Sequence, residues 1–301
     1  MNDVKRALLT LWSLWFLIAL AACRPTSAAG PAATGTPSPS ATPFQPSPTP
    51  IPLAALVNGT PIPLATYQAE LARFQAGLAE VGTKLATPEN APQWVLDDLI
   101  DRLLLAEAAS QQGFSPPDEA TLWAQAVQEA GGEQALQDYL AHQGYTRETF
   151  LEALKQAQAA AWMVQHLAAQ VPQQMEQVHA RQILVYNKQE AEALLARLRQ
   201  GEDFETLAAA YDPQGRGDLG WFPRGYLAQK ALEDAAFALK PGQVSDIIQT
   251  SLGYHLLRVE AREVRPLAPD VRRKLQLEAI QAWLQQRRAE SHIQILLTPM
   301  P

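Results

Sequence analysis

VHARQILV (178–185), GEDFETLAAAYDPQGRGDLGWFPRG (201–225) and ALEDAAFALKPGQVSDIIQTSLGYHLLRVEARE (231–263) are the stretches whose reading decides the fold. The first is strand-like, with β-branched Val178, Ile183 and Val185. A second pair of such runs, Val244 to Thr250 and Tyr254 to Val259, closes the region. Helical segments lie between them, with Gly and Pro at the joints. Arg216 and Arg224 flank a stretch read as a loop, and Gly217, Gly220 and Gly253 read as serving turns or close backbone approach. The whole is a small α+β unit of under about a hundred residues, large enough for its own core.

Five phrases in order, ARQILV, GEDFETLAAAY, GDLGWFPRG, EDAAFALKPGQVS and TSLGYHLLRVEAR, resemble a parvulin-type (PpiC, or rotamase) peptidyl-prolyl isomerase domain. The resemblance covers under a third of the chain, placed at residues 178–264. It implies catalysis of rotation about the X–Pro bond, whose unaided barrier is about 18–20 kcal/mol. The twisted amide loses its charge-separated resonance. An apolar cradle for the proline ring and a few fixed polar groups therefore suffice to favour it. No cofactor, metal or energy source is implied.

Matching position by position, Leu219, Phe222, Leu227 and Leu232 fall where the family places pocket-lining apolar residues, with an ordinary core role as the alternative for each. His255, in Gly-Tyr-His, matches the second of the family's two central histidines, and Thr250 its hydroxyl position. The chain departs from the pattern at Gln182, which stands where the family's first histidine is expected. Gln182 donates and accepts hydrogen bonds but does not titrate. His179 is three residues away, and strand alternation turns it to the opposite face unless a bulge intervenes. The loop after Tyr211 is short. Asp212 is the match for the polar residue that faces the twisting amide, while Asp212-Pro213 reads equally as a turn. The insertion that carries a basic cluster in phosphate-directed parvulins is missing, so Arg216 and Arg224 read as solvated charges.

Upstream, LAALVNGTPIPLATYQAELARFQ contains a short strand, Ala55 to Val57, a turn at Asn58-Gly59 and an amphipathic helix through Leu64, Tyr67, Leu71 and Phe74. Helices follow at Ala91 to Gln112, from Asp118 to about Ala130, and at Glu133 to His142. Thr146 can cap a long one reaching Val171, with Thr149 rather than Glu or Gln at the third position after the cap. VNGTPIPLATYQAEL, VLDDLIDRLLLAEAASQQG and GYTRETFLEALKQ resemble the N-terminal chaperone region of SurA- and PrsA-type extracytoplasmic foldases. A generic helical stalk would read similarly. Downstream, a helix runs from Pro269-Asp270 to about Ser291, followed by a strand at His292 to Leu297. The resemblance implies that the terminal strand returns to pair near Ala55 to Val57. The expected fold is α+β: a parvulin-like domain inserted into a mostly helical domain built from residues 53–177 and 265–298.

At the N-terminus, Lys5 and Arg6 precede an apolar run from Ala7 to Ala22, too short to span a bilayer comfortably. Leu20-Ala21-Ala22-Cys23 resembles a bacterial lipobox, implying removal of residues 1–22 and lipidation of Cys23. A plain signal peptide or an uncleaved anchor fits the same residues. Cys23 is the only cysteine, so no intrachain disulfide forms. Residues 24–52, rich in Pro, Ser and Thr, read as a disordered tether.

A formal net charge of −7 over 301 residues argues against a nucleic-acid partner. The five histidines and one cysteine show no metal-ligand spacing. The reading that results is a lipid-anchored, extracytoplasmic foldase acting on unfolded exported polypeptides. The alternatives are a client-binding chaperone with a weak or inactive parvulin-like domain, and a structural lipoprotein.

Overall fold

The computed structural model describes residues 51–80 and 90–297. The targeting segment, Cys23 and the tether up to residue 50 lie outside the described residues. The chain divides into two compact units, one running up to Val164 and resuming at Trp283, the other comprising Gln165–Ala282. The second is thus an insertion in the first.

The first unit begins with a hairpin, β1 (Leu53–Val57) and β2 (Thr60–Pro63). Its two-residue turn has positive φ at both Asn58 (50°) and Gly59 (86°), which matches the twist of the flanking strands. On the other side of β1 lies β7 (Ile293–Ile295), antiparallel, with Val57 opposite Ile293 and Ala55 opposite Ile295. The expected return of the terminal strand is therefore observed. Asn58 fastens it: its backbone N–H donates to the His292 carbonyl at 2.9 Å, and its Oδ1 accepts the His292 N–H at 2.9 Å.

Beneath this sheet, α1 (Leu64–Glu80) and α2 (Ala91–Gln111) supply the core. Leu96, Ile100 and Leu104 on α2 are fully buried against Ala54, Val57 and Ile62. The end of α9 (Pro269–Glu290) is tied to α2 by Arg288, which donates to Asp97 at 2.9 Å and also to Asp101. Burial pushes the Asp101 carboxyl up, and the Arg288 guanidinium opposes that shift.

α3 (Glu119–Ala130), α4 (Glu133–Gln143) and the start of α5 (Arg147–Ala169) form a smaller cluster around Leu136, Leu140 and Phe150. Asp118 caps α3 by accepting the Thr121 N–H. At the start of α5 the absence of Glu or Gln three positions after Thr146 proves immaterial. Thr146 Oγ1 accepts the Thr149 N–H at 3.2 Å, and Thr149 Oγ1 accepts the Thr146 N–H at 3.0 Å. A second hydroxyl completes the reciprocal pair that a capping box makes with a longer side chain.

The second unit is built on a long antiparallel ladder between β3 (Gln174–Val185) and β6 (Gly253–Pro266). With β4 (Asp218–Pro223) and β5 (Ile248–Thr250) the sheet order is β4-β3-β6-β5. One face carries α6 (Lys188–Arg199) and α7 (Phe204–Tyr211), packed on Ile183, Val185 and Leu256. The other carries α8 (Lys230–Ala238), packed on Val178, Ala180, Leu257 and Val259.

Two sequence expectations are corrected here. GDLGWFP is a strand, not a loop. Gly220, at φ 65°, is accommodated in a register shift between His179 and Arg181, so the glycine read as a turn or close-approach position makes a bulge. Conversely, the strand expected from Val244 shrinks to Ile248–Thr250. Val244 makes only a single bridge to Arg258. Ser245 accounts for the interruption: its Oγ takes the Leu257 N–H at 2.9 Å, where a backbone carbonyl would continue the ladder.

Breaking the Arg288 pair should leave a partly buried carboxylate unpaired. Arg288→Ala is expected to destabilise the protein by about 2 kcal/mol in thermal or urea unfolding. The double variant with Asp101→Asn should recover part of that loss. Full additivity of the two substitutions would mean that the pair carries no coupling.

Candidate functional site

The α8 face of the inserted sheet is where the polar and apolar candidates meet. Side chains alternate along a strand, so Ala180, Gln182 and Leu184 share one face of β3. On β6, His255, Leu257 and Val259 share that same face, with Gln182 opposite Leu257 and Leu184 opposite His255. β5 places Ile248 opposite His255 and ends at Thr250.

The register makes a polar chain inside an apolar sheet. Gln182 Oε1 lies 2.9 Å from His255 Nδ1, and Thr250 Oγ1 lies 2.8 Å from His255 Nε2. Thr250 Oγ1 also accepts the Leu252 N–H at 3.0 Å. One neutral tautomer satisfies the whole chain: Nδ1–H donates to Gln182, and the Thr250 hydroxyl donates to Nε2. His255 is only 1% exposed, and burial pushes its pKa below the usual histidine value. With its oxygen engaged, the Gln182 amide retains two N–H donors.

His179 is not a substitute for the residue missing at 182. It stacks on Trp221 with ring centroids 5.4 Å apart, and its Nε2 meets Asp218 Oδ1 at 2.8 Å. The bulge between His179 and Arg181 does not bring it round to His255.

The apolar candidates gather on the same face. Phe222 is fully buried, edge-on to Phe237 at 6.2 Å, and Leu232 is buried beside them. Leu219 and Leu227 are half-buried against this cluster. Phe222 and Leu232 therefore form a floor, and Leu219 and Leu227 are the members with accessible surface. The Gly220 bulge lets Leu219 pack on the same cluster as Phe222, although strict alternation would separate residues three apart.

A residue that sequence reading passed over holds the rim in place. Glu233, in the first turn of α8, is 7% exposed. Its carboxylate accepts three successive backbone N–H groups, from Gly225 (2.9 Å), Tyr226 (2.9 Å) and Leu227 (3.1 Å). A buried carboxylate needs such donors, and three loop amides need an acceptor. The available signal was a pair of acidic residues, Glu233 and Asp234, in an otherwise apolar helix stretch, LEDAAFA, just after a Gly-containing loop.

Asp212 anchors its loop. Its carboxylate accepts the Gly215 N–H at 2.9 Å and the Gly217 N–H at 3.1 Å, and these bonds hold its pKa below the usual carboxylate range against burial. Gly217 is required where it sits: a Cβ there would stand 1.9 Å from the Gln182 carbonyl oxygen. Arg216 pairs with Glu205 at 3.0 Å, and Arg224 lies over the Phe237 ring at 4.3 Å.

Comparison with known proteins bears on both units. Residues 6–164 match the SurA-like N-terminal domain, and residues 150–261 match the PPIC-type PPIase domain. Foldase protein PrsA of Geobacillus sp. (strain WCH70) is 36% identical over 126 residues, 40% of this chain and 45% of that protein. Foldase protein PrsA of Caldanaerobacter subterraneus is 27% identical over 230 residues, 71% of this chain and 75% of that protein. The match thus spans less than half of the Geobacillus relative. Among solved structures, NmPin, the parvulin of Nitrosopumilus maritimus, is 34% identical with a TM-score of 0.27, covering 29% of this chain and 97% of that one.

Two outcomes are expected. Glu233→Ala strands three loop N–H groups and should destabilise the protein by about 2–4 kcal/mol; Glu233→Gln, which keeps an acceptor oxygen, should cost less. Equal stability of all three proteins in denaturant titrations would contradict this role. The second outcome follows from linkage. His255 has a depressed folded-state pKa, so the unfolded chain takes up the proton first as pH falls. Its contribution is fully present above the ordinary value of 6.5 and is lost progressively below it. The stability of the protein minus that of His255→Gln should therefore decline between pH 7 and pH 5.5. A constant difference would mean that His255 does not titrate differently on folding.

Proposed function

Because this chain belongs to the SurA-like N-terminal domain family and carries a PPIC-type PPIase domain, we propose that it is an extracytoplasmic foldase that isomerises X–Pro bonds in incompletely folded exported polypeptides. We assign the isomerase domain to residues 178–264. Residues 53–177 and 265–298 form the client-binding part.

The observation that carries this reading is the Gln182–His255–Thr250 chain, intact on the same sheet face as the Leu219, Phe222, Leu227 and Leu232 surface. Its chemistry fits a reaction that makes and breaks no covalent bond. The proline ring packs against Leu219 and Leu227 over the Phe222–Leu232 floor. There the amide loses water, which penalises its planar, charge-separated form more than its twisted form. Gln182 supplies N–H donors held in place by its bond to His255. His255 acts while neutral: it orients Gln182 and Thr250 and transfers no proton. Every 1.4 kcal/mol by which these groups favour the twisted amide over the planar one is worth about a factor of ten in rate.

The location rests on residues outside the described ones. Lipidation of Cys23, after removal of residues 1–22, would hold the folded part to the outer side of a membrane through the Pro-rich tether. Among the described residues no helix is long and apolar enough to cross a membrane.

The isomerase reading is tested with short X–Pro peptides. The protein is expected to accelerate isomerisation, and Leu219→Ala with Leu227→Ala should lower kcat/KM by about tenfold or more, because each removes apolar surface from the ring's cradle. An active enzyme indifferent to both substitutions would refute the pocket assignment. Replacing Cys23 by Ser is expected to release the protein from membranes on washing. Retention of the Cys23→Ser protein would point to an uncleaved anchor instead.

A further inference from the structure

The inserted sheet has an open edge beside the candidate site. β4 pairs with β3 only as far as Arg181, opposite Asp218, and Gln182 is then met by Gly217, whose carbonyl accepts its N–H at 2.8 Å. From Ile183 to Val185 the ladder runs on with β6 alone. Alternation fixes where the main chain points. The Gln182 N–H faces the β4 side, so the N–H and carbonyl of Leu184, two residues on, face that side too. They give onto a cleft of ≈ 440 Å³ whose lining includes Gln182, Leu184, Tyr186, Glu190, Tyr211 and Asp212.

The walls of this cleft have a definite chemistry. Its charged lining residues, Glu190 and Asp212, are both carboxylates. Tyr186 is 83% exposed and Tyr211 41%, so two aromatic rings stand in water beside them. The Tyr211 hydroxyl donates to Glu190 at 2.9 Å and holds that wall together. Aromatic faces next to carboxylates favour a cationic side chain on a flexible apolar stem. Unpaired strand groups favour an extended peptide. Gln182 lines the cleft and also belongs to the His255 chain, so the cleft adjoins the candidate site at that residue.

We propose that this edge is the subsite for the client residues flanking the proline: an extended segment pairs with the Leu184 main chain and lays a Lys or Arg side chain against Glu190 and Asp212, between Tyr186 and Tyr211. The proposal deepens the isomerase reading and rests on it. It makes the enzyme selective for basic sequence around the proline, although the proline pocket itself is apolar.

Two measurements on the whole protein decide it. In the first, proline peptides carry Lys or Glu at each position from three before the proline to three after it. At one position or more, kcat/KM for Lys is expected to exceed that for Glu roughly tenfold at low salt, with the ratio shrinking as salt rises. Glu190→Lys should reduce or invert that ratio. In the second, amide hydrogen exchange is followed while a saturating Lys-containing peptide is bound. Exchange at the Leu184 N–H should slow severalfold, which a diffuse electrostatic preference would not produce. Equal rates for Lys and Glu at every position, or unchanged exchange at Leu184 with peptide bound, would overturn the proposal. Failure to isomerise any peptide would instead defeat the isomerase reading, and protection of Leu184 would still decide whether the edge binds strands.

Discussion

His255 has to be buried and has to stay uncharged, and the geometry of the inserted unit is organised around meeting both conditions. An imidazole inside a sheet carries one donor and one acceptor, and leaving either unmatched costs about 1–3 kcal/mol. Gln182 supplies the acceptor from β3 and Thr250 the donor from β5, so three strands must hold one register for the chain to close. A slip of one residue in β3 would replace Gln182 by Ile183 or Arg181 and exchange the side chains packed under α8 for those packed under α6 and α7. The polar chain thereby specifies the register, and the register in turn sets where the apolar surface lies.

Departures from regular strand geometry do the aiming. The bulge at Gly220 lets Leu219 pack with Phe222. A second register shift, on β6, skips Glu260: His179 pairs with Ala261 and Ala180 with Val259. Beyond it, Arg262 rather than Ala261 faces α8. There its guanidinium donates to the Phe237 and Leu239 carbonyls at 2.7 and 2.8 Å, closing the C-terminal end of the helix. Glu233 holds the other end of α8 to the 225–227 loop. The helix that covers the candidate site is thus fixed at both ends by a charged side chain from one element reaching backbone groups of another.

Much of this was legible in the sequence because it depends on local signals. Asn58-Gly59 announced a tight turn, Asp118 and Thr146 announced helix starts, and each occupies its expected place, although strand β2, which makes that turn a hairpin, was not foreseen. The pairing of β7 with β1 joins residues more than 230 positions apart. No local pattern could reveal that, and the expectation came from resemblance alone. The identities of Gln182, His255 and Thr250 could be read, but not their distances. Gly220 was read as a turn or close-approach position and the run from Val244 to Thr250 as a continuous strand, whereas Gly220 serves a bulge and Ser245 replaces a ladder carbonyl. Glu233 was passed over because its partners are backbone amides, which carry no sequence signature.

Gln182 is where the account is most exposed, since it stands where the resembling family has a histidine. The most direct measurement is kcat/KM for an X–Pro peptide in three proteins: the natural sequence, Gln182→Leu and Gln182→His. Leucine removes the acceptor for Nδ1–H and the free amide donors while keeping bulk on the same face. Gln182→Leu is expected to lose about 30- to 100-fold, corresponding to about 2–3 kcal/mol, and Gln182→His to keep a rate within a few-fold of the natural protein. A folded Gln182→Leu protein as active as the natural one would contradict it, because catalysis would then not pass through the Gln182–His255–Thr250 chain.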